Sequence, residues 1–323
     1  MLRHHGLIAV LTAGLALALF STGCLDDDGG GGPGGEINFT RGFVFVRNDN
    51  QDIYVADLSD YTKVGRLTTN GGNRHPSLSS DGRQVVFVHT DASNVSSLMT
   101  VATNGGGAPR TVYAADTVAG QKNFKHPVIS PDGNTIVFVY EVQTTASLAK
   151  VSATDGTGFE TLTASTLSYA SPSFYPVASA PNEVLVVAGS GIGQGTQLER
   201  INLITGQLLP VTNNLGTDVA SISGRAVLSP DGTRVAFEAR LAGMSTATRI
   251  FVHTFSTGAT VQISDTGAGS ADALHSFPTW LSATQVAFVS NEGGANQVYV
   301  QSASTRGTGS LTLPSADQAW FGP

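Results

Sequence analysis

One stretch constrains the fold of this chain more than any other: His126-Pro127-Val128-Ile129-Ser130-Pro131-Asp132-Gly133-Asn134-Thr135-Ile136-Val137-Phe138-Val139. It reads as strand, turn, strand. Asp-Gly accepts the positive φ angles of a tight hairpin turn, and the β-branched and aromatic run after it suits a half-buried strand. The stretch recurs. Arg74 to Val88 carries Ser79-Ser80-Asp81-Gly82, and Arg225 to Glu238 carries Ser229-Pro230-Asp231-Gly232. Weaker copies run from Ser171 to Val187 and from Phe277 to Val289. The copies lie about fifty residues apart, the length of one four-stranded propeller blade.

From Arg41 onward, four kinds of strand follow one another in fixed order. In the third unit they are Pro127-Val128-Ile129, Ile136 to Val139, Leu148 to Val151 and Thr161-Leu162-Thr163. The second, third and fourth kinds begin with Phe43 to Val46, Ile53-Tyr54-Val55 and Arg66-Leu67-Thr68, and each returns through six units. The first kind is absent before Phe43 and reappears after the last unit as Ala319-Trp320-Phe321-Gly322-Pro323. No stretch holds a helical period. The expected fold is all-β: a six-bladed β-propeller of four-stranded blades over residues 41–323, closed by the C-terminal strand pairing with Phe43 to Val46. Closure of this kind removes the sheet edges that an open array would expose.

The chain before Arg41 has a different character. Arg3 precedes an uncharged apolar run from Gly6 to Phe20, then Ser21-Thr22-Gly23 leads to Cys24, the single cysteine. This is the layout of an export signal over residues 1–23, and the run is shorter than the ~20 residues of a membrane span. A lone cysteine leaves no disulfide framework. Small residues followed by cysteine resemble a bacterial lipobox, with Ser21 where leucine is usual. That resemblance implies diacylation of Cys24 and anchoring to a membrane in the periplasm or at the cell surface. Leu25 in place of a retention Asp points to the outer membrane. Residues 24–40, rich in Asp and Gly, bury no apolar surface and read as a flexible tether.

The motif Pro-x-(aromatic or aliphatic)-Ser-Pro-Asp-Gly, followed by an apolar strand ending in Phe, resembles the propeller repeats of TolB, the periplasmic Tol–Pal component. The resemblance spans Arg41 to Pro323 and is sharpest at Ser79 to Gly82, Ser130 to Gly133 and Ser229 to Gly232. Related repeats occur in non-catalytic propeller modules of oligopeptidases and in metal-dependent polysaccharide lyases. A shared fold of this kind leaves function to the site.

Charge narrows the partners. Lys and Arg number 17, are scattered, and sit in a chain of net charge −7. Nucleic acid needs a basic face and is not expected. No Gly-x-Ser-x-Gly elbow is present for a serine hydrolase. Gly189 to Gly195 follows a strand without a helix to bind an anion, and reads as an inter-strand loop. Asn48 to Asp52 lacks the Gly and Glu of an EF-hand loop and reads as a turn.

In the resembled family, the residues just before the first strand of each blade lie at the mouth of the channel. Here they are Arg74-His75, Lys125-His126, Gly224-Arg225 and, in the last unit, His275-Ser276-Phe277. Three readings follow: a cationic rim that receives an acidic peptide or carboxylate, a histidine metal site of the lyase kind, or a hydrated channel without ligand. The first is favoured over the metal site, because His275 is out of line with His75 and His126. The expectation is a monomeric, non-catalytic binding or scaffold module that takes an envelope protein or acidic peptide and needs no cofactor. A metal-dependent lyase or hydrolase and a purely structural envelope protein are the alternatives.

Overall fold

The structure, a computed structural model, describes residues 38–322 apart from 62, 164–166, 177–179, 181, 213, 244–245 and 267–271. The export signal, Cys24, most of the tether and Pro323 lie outside the described residues. Every regular element described is a β-strand.

β1 (Gly42–Val46), β2 (Ile53–Asp57) and β3 (Val64–Arg66) open the first sheet. The second holds β4 (Asn73–Leu78), β5 (Gln84–Thr90), β6 (Ser96–Ala102) and β7 (Arg110–Ala114). The third holds β8 (Gln121–Ile129), β9 (Thr135–Val142), β10 (Thr145–Ser152) and β11 (Glu160–Thr161). Then come β12 (Ser168–Phe174), β13 (Glu183–Gly189), β14 (Gly195–Asn202) and β15 (Leu208–Thr212). They share one eight-stranded sheet with β16 (Val219–Leu228), β17 (Arg234–Leu241), β18 (Thr248–Thr254) and β19 (Ala259–Gln262). The last four-strand run is β20 (His275–Ser282), β21 (Gln285–Ser290), β22 (Gln297–Ser302) and β23 (Ser310–Leu313). β24 (Asp317–Gly322) returns to the first sheet, which has the order β24-β1-β2-β3.

Hydrogen bonding thus joins the described strands into five sheets, where six separate blades were expected. The eight-stranded sheet comes from one pair, Gly195 with Ile222. β14 gives its first residue to β16 and its later residues to β15. A Cβ on Gly195 would lie 2.2 Å from Val187 Cγ1 of the neighbouring β13 and 3.2 Å from Ile222 of β16, so the packing of three strands there suits glycine.

The inner strands form a closed cycle of contacts: β24, β4, β8, β12, β16, β20 and back to β24. The C-terminal strand closes the ring as expected, with Phe43 opposite Phe321 and Val44 opposite Trp320. Side chains tie neighbouring inner strands. Ser77 Oγ donates to the Pro127 carbonyl, Ser171 Oγ accepts from the Ala226 amide, and Trp280 Nε1 donates to the Val227 carbonyl. The core is the strand next to each inner one: Phe43, Phe45, Phe87, Phe138, Phe237 and Phe288 are all fully buried.

The signature motif proves to be a turn lock. Ser130 Oγ donates to Asp132 Oδ1 at 2.5 Å and accepts from the Thr135 amide at 2.9 Å. Ser79 and Ser229 repeat both bonds. The glycine that follows each Asp takes the positive φ the turn requires.

The outer strands differ from expectation by a residue or two. β3 ends at Arg66 and β11 at Thr161, short of the expected Thr68 and Thr163. Hydroxyls take over there: Thr68 Oγ1 accepts from the Ile53 amide and Thr163 Oγ1 from the Leu148 amide. The neighbouring strand is satisfied by a side chain, so the backbone ladder stops.

The Asn48 to Asp52 segment is a turn, as read. Asp52 is buried and accepts from Arg66, Thr68, the Gly71 amide and Asn73, which uses its oxygens as structural acceptors.

Candidate functional site

Each inner strand begins with a bulge in its pairing. In β4 it falls between Arg74 and Ser77, in β8 between Lys125 and Val128, in β12 between Ala170 and Ser173, and in β20 between Ser276 and Thr279. The residue at the bulge takes a left-handed conformation: His75 at φ 51°, His126 at 48°, Ser171 at 50°, Phe277 at 51°, and Gln318 of β24 at 51°. Such angles are uncommon outside glycine, and each costs on the order of 1–3 kcal/mol unless the surroundings enforce it. Five repetitions in one ring mark a built feature. Arg225 holds the same place in β16 by its position in the motif.

The bulge aims these side chains at the axis, where residues from different sheets meet. The His75 and His126 rings are edge to face with centroids 4.5 Å apart, and Phe277 lies 6.2 Å from His75. The His75 amide donates to Gln318 Oε1 at 2.7 Å. The Arg225 guanidinium lies 5.1 Å from the Phe277 ring centre and 5.0 Å from that of Trp320. Trp320 packs against three separate core clusters, those containing Val128, Leu78 and Val227, so it fills the axis beneath Arg225.

Of the residues expected at the mouth, five come together. Arg74, His75, Lys125, His126 and Arg225 share one electrostatic neighbourhood. His275 does not join them. It is buried against Phe288, with Arg249 and Asp265 as its charged neighbours. The bulge of β20 puts Phe277 in the ring and leaves His275 two residues outside it. Arg225 is only 3 % exposed and donates to the Ala319 carbonyl, so it lies beneath the rim. Lys125 pairs with Glu141 at 2.7 Å, and Arg74 donates to Thr90.

Burial sets the charge states. It holds the His75 imidazole well below its ordinary range, helped by His126 and three cations, and lowers His126 to about 3. Both rings are therefore neutral at pH 7. Burial also brings Arg225 down to about 9 against the pull of Glu238 and Asp317, and takes Glu238 up to about 7. Desolvation outweighs mutual attraction in this pair.

Beside the ring opens a cleft with about 530 Å³ of empty space, part of it facing solvent. Lys125, His126 and Glu141 form one wall, Tyr169 and Val187 supply apolar surface, and Gly224 lies opposite. The Gly189 to Gly195 segment is a loop between β13 and β14, as expected, and its Gly191, Ile192 and Gly193 overhang this cleft. Its place in the site was not expected. Ser171 and Gln318 were missed as well, although Ser171 directly precedes a proline in the repeat, as His75 and His126 do. Phe277 lies in the expected segment, but His275 was the functional residue expected there. Glu238 was missed too. Its signal was a charge directly after the last Phe of a second strand, where other units have Val.

Among solved structures the fold matches the TolB-like β-propellers. TolB from Acinetobacter baumannii aligns with a TM-score of 0.66 at 15% identity, over 90% of this chain and 68% of that one. A puromycin-hydrolyzing peptidase from Mycobacterium tuberculosis gives 0.53 at 16%, over 88% and 45%. An oligogalacturonate lyase in complex with manganese gives 0.51 at 13%, over 84% and 86%. No protein-family model matches the chain, and no curated protein matches it by sequence. At these identities the likeness shows the fold alone, which proteins of different function share. A metal of the lyase kind does not fit this mouth. Among the described residues no three His, Cys, Asp or Glu side chains are grouped to hold one, and His275 is apart from the other two histidines.

Proposed function

We propose that this protein is an exported envelope lipoprotein, acylated on Cys24, whose propeller binds an acidic peptide segment of an envelope protein without catalysis. The observation that carries this reading is the convergence of Arg74, His75, Lys125 and His126 from adjacent sheets on one mouth, beside a cleft with an apolar floor. The axis beneath is filled by Arg225 and Trp320. A partner therefore meets a shallow receiving surface and not a bore. Counting β12–β15 and β16–β19 as two blades joined by a single residue pair gives six blades around that mouth.

Cations at a rim raise association rates and favour anionic partners, with an effect that fades as salt rises. Each exposed charge contributes about 1 kcal/mol or less. Arg74 and Lys125 can be changed together without touching the buried Arg225. The double substitution Arg74→Ala, Lys125→Ala is expected to weaken capture of an acidic peptide several-fold and flatten its salt dependence. Because Lys125 is the ion-pair partner of buried Glu141, the melting temperature should fall as well, and binding is compared at a temperature where both proteins are folded. Equal affinity and salt slope in the double variant would refute the reading.

A further inference from the structure

Five sheets share an arrangement at the mouth that one strand set reverses. The residue before the ring position carries a side chain in five cases: Arg74, Lys125, Ala170, Ser276 and Asp317. Its cross-strand partner is always valine: Val88, Val139, Val187, Val289 and Val46. In β16 and β17 the corresponding residues are Gly224 and Glu238. A Cβ on Gly224 would lie 2.2 Å from Glu238 Oε2, so the carboxyl occupies the space that the Arg74 and Lys125 side chains fill in their own sheets. Residues paired across an antiparallel ladder share a face. Glu238 therefore sits at the level of the mouth, directly under a residue that lines the cleft.

We propose that Glu238 is a proton-linked switch on the mouth, which admits an acidic segment when its carboxyl is protonated and repels it when ionised. This rests on the reading of the mouth as a site for an acidic segment. The groups around Glu238 support it. From β16, Ser223 Oγ donates to one oxygen at 3.1 Å and Arg225 supplies a cation; from β20, the Phe277 amide donates to the other oxygen at 3.4 Å. Arg240 lies on its own strand, and β18 places the apolar Ile250 opposite it. Asp317 of β24 acts on Arg225 from the other side, and the same Arg225 faces His75 and His126, which are neutral.

Ionised, Glu238 offsets Arg225 and sets a negative charge beside the cleft. Protonated, it removes that negative charge and leaves Arg225, beneath the rim, with Asp317 as its remaining counter-charge. Linkage is reciprocal: a proton that strengthens the ligand is itself held more tightly when the ligand binds. Burial brings the Glu238 carboxyl to about 7, so the switch works near neutrality.

The test is binding of a rhodamine-labelled peptide of eight glutamates to the purified full-length protein in detergent, followed by anisotropy from pH 5.5 to 8.5 at fixed ionic strength. The peptide carboxylates titrate well below this range. Native protein should bind tightly at the acid end and lose up to about tenfold in affinity per pH unit above 7, the limit for one linked proton. Glu238→Gln and Glu238→Val, the second installing the residue of the other five units, should each hold the low-pH affinity throughout. A native pH slope that persists in both variants, or no slope at all, overturns the switch while leaving the site reading intact. Absence of binding at every pH overturns the site reading and the switch with it.

Discussion

Arg225 Nη1 donates to the Ala319 carbonyl at 2.6 Å, so a side chain from β16 holds the C-terminal strand of another sheet across the axis. The same guanidinium stacks over Trp320, one residue further on. The mouth, the axis and the closure of the ring are therefore one piece of structure. Disturbing Arg225 should be felt in stability before it is felt in binding.

Removing Arg225 leaves the buried Ala319 carbonyl without its donor and Glu238 without its cation. Arg225→Ala is expected to cost about 3 kcal/mol. Arg225→Lys should recover little, because an ammonium cannot lie flat on Trp320 while bonding the carbonyl. Denaturant midpoints measure both. A lysine variant as stable as the native protein would show that charge alone matters here.

Deleting residues 319–323 should strip β1 of its inner partner, expose an edge and empty the axis of Trp320. Loss of one large buried aromatic, here Phe321, costs about 3–5 kcal/mol, a large part of a typical total of about 5–15 kcal/mol. Trp320→Ala isolates the axis from the pairing. An unchanged melting temperature in the truncated protein would mean that the pairing of Phe43 with Phe321 contributes nothing to closure.

The turn locks predict an acid response. Serine hydroxyls hold Asp81, Asp132 and Asp231 below the ordinary carboxylate range, with backbone amides adding to the effect. A depressed folded pKa stabilises above the unfolded value of about 3.9, and that contribution is lost as pH falls through the folded value. The three side chains are exposed, so each contribution is small. The triple change to Asn should flatten the stability profile below pH 4 and leave its shape near pH 7 unaltered. Identical acid profiles for the two proteins would dismiss the locks as a source of stability.

Cys24→Ser should move the protein from the membrane fraction to the soluble fraction and abolish its acylation. Continued sedimentation of the serine variant with membranes would count against the lipobox reading.

The repeat was legible because its physics is local. Ser130, Asp132 and Gly133 lie within four residues and lock one turn by themselves, and the β-branched and aromatic run Val137-Phe138-Val139 declares a strand without help from the rest of the chain. The offset of strand kinds also foretold that β24 would pair with β1. The outer strands were less legible. Their ends are set by which hydroxyl, Thr68 or Thr163, reaches the neighbouring amide, and either residue type would also suit a strand.

By itself, then, the sequence determined the all-β repeat, the order of its strands and the means of closure, since each depends on neighbours in the chain or on a count of units. Only the tertiary structure decided the mouth. His75 and His126 touch because bulges in two strands aim them at one axis, whereas His275, two residues out of step, turns into the core. Arg225, legible as a cation, became a buried brace because Trp320 and Ala319 come to it from the far end of the chain. The exchange of Gly224 and Glu238 could be read only once the strands were in register. A side chain's charge is written in the sequence, but its depth, partners and protonation follow from residues that folding brings beside it.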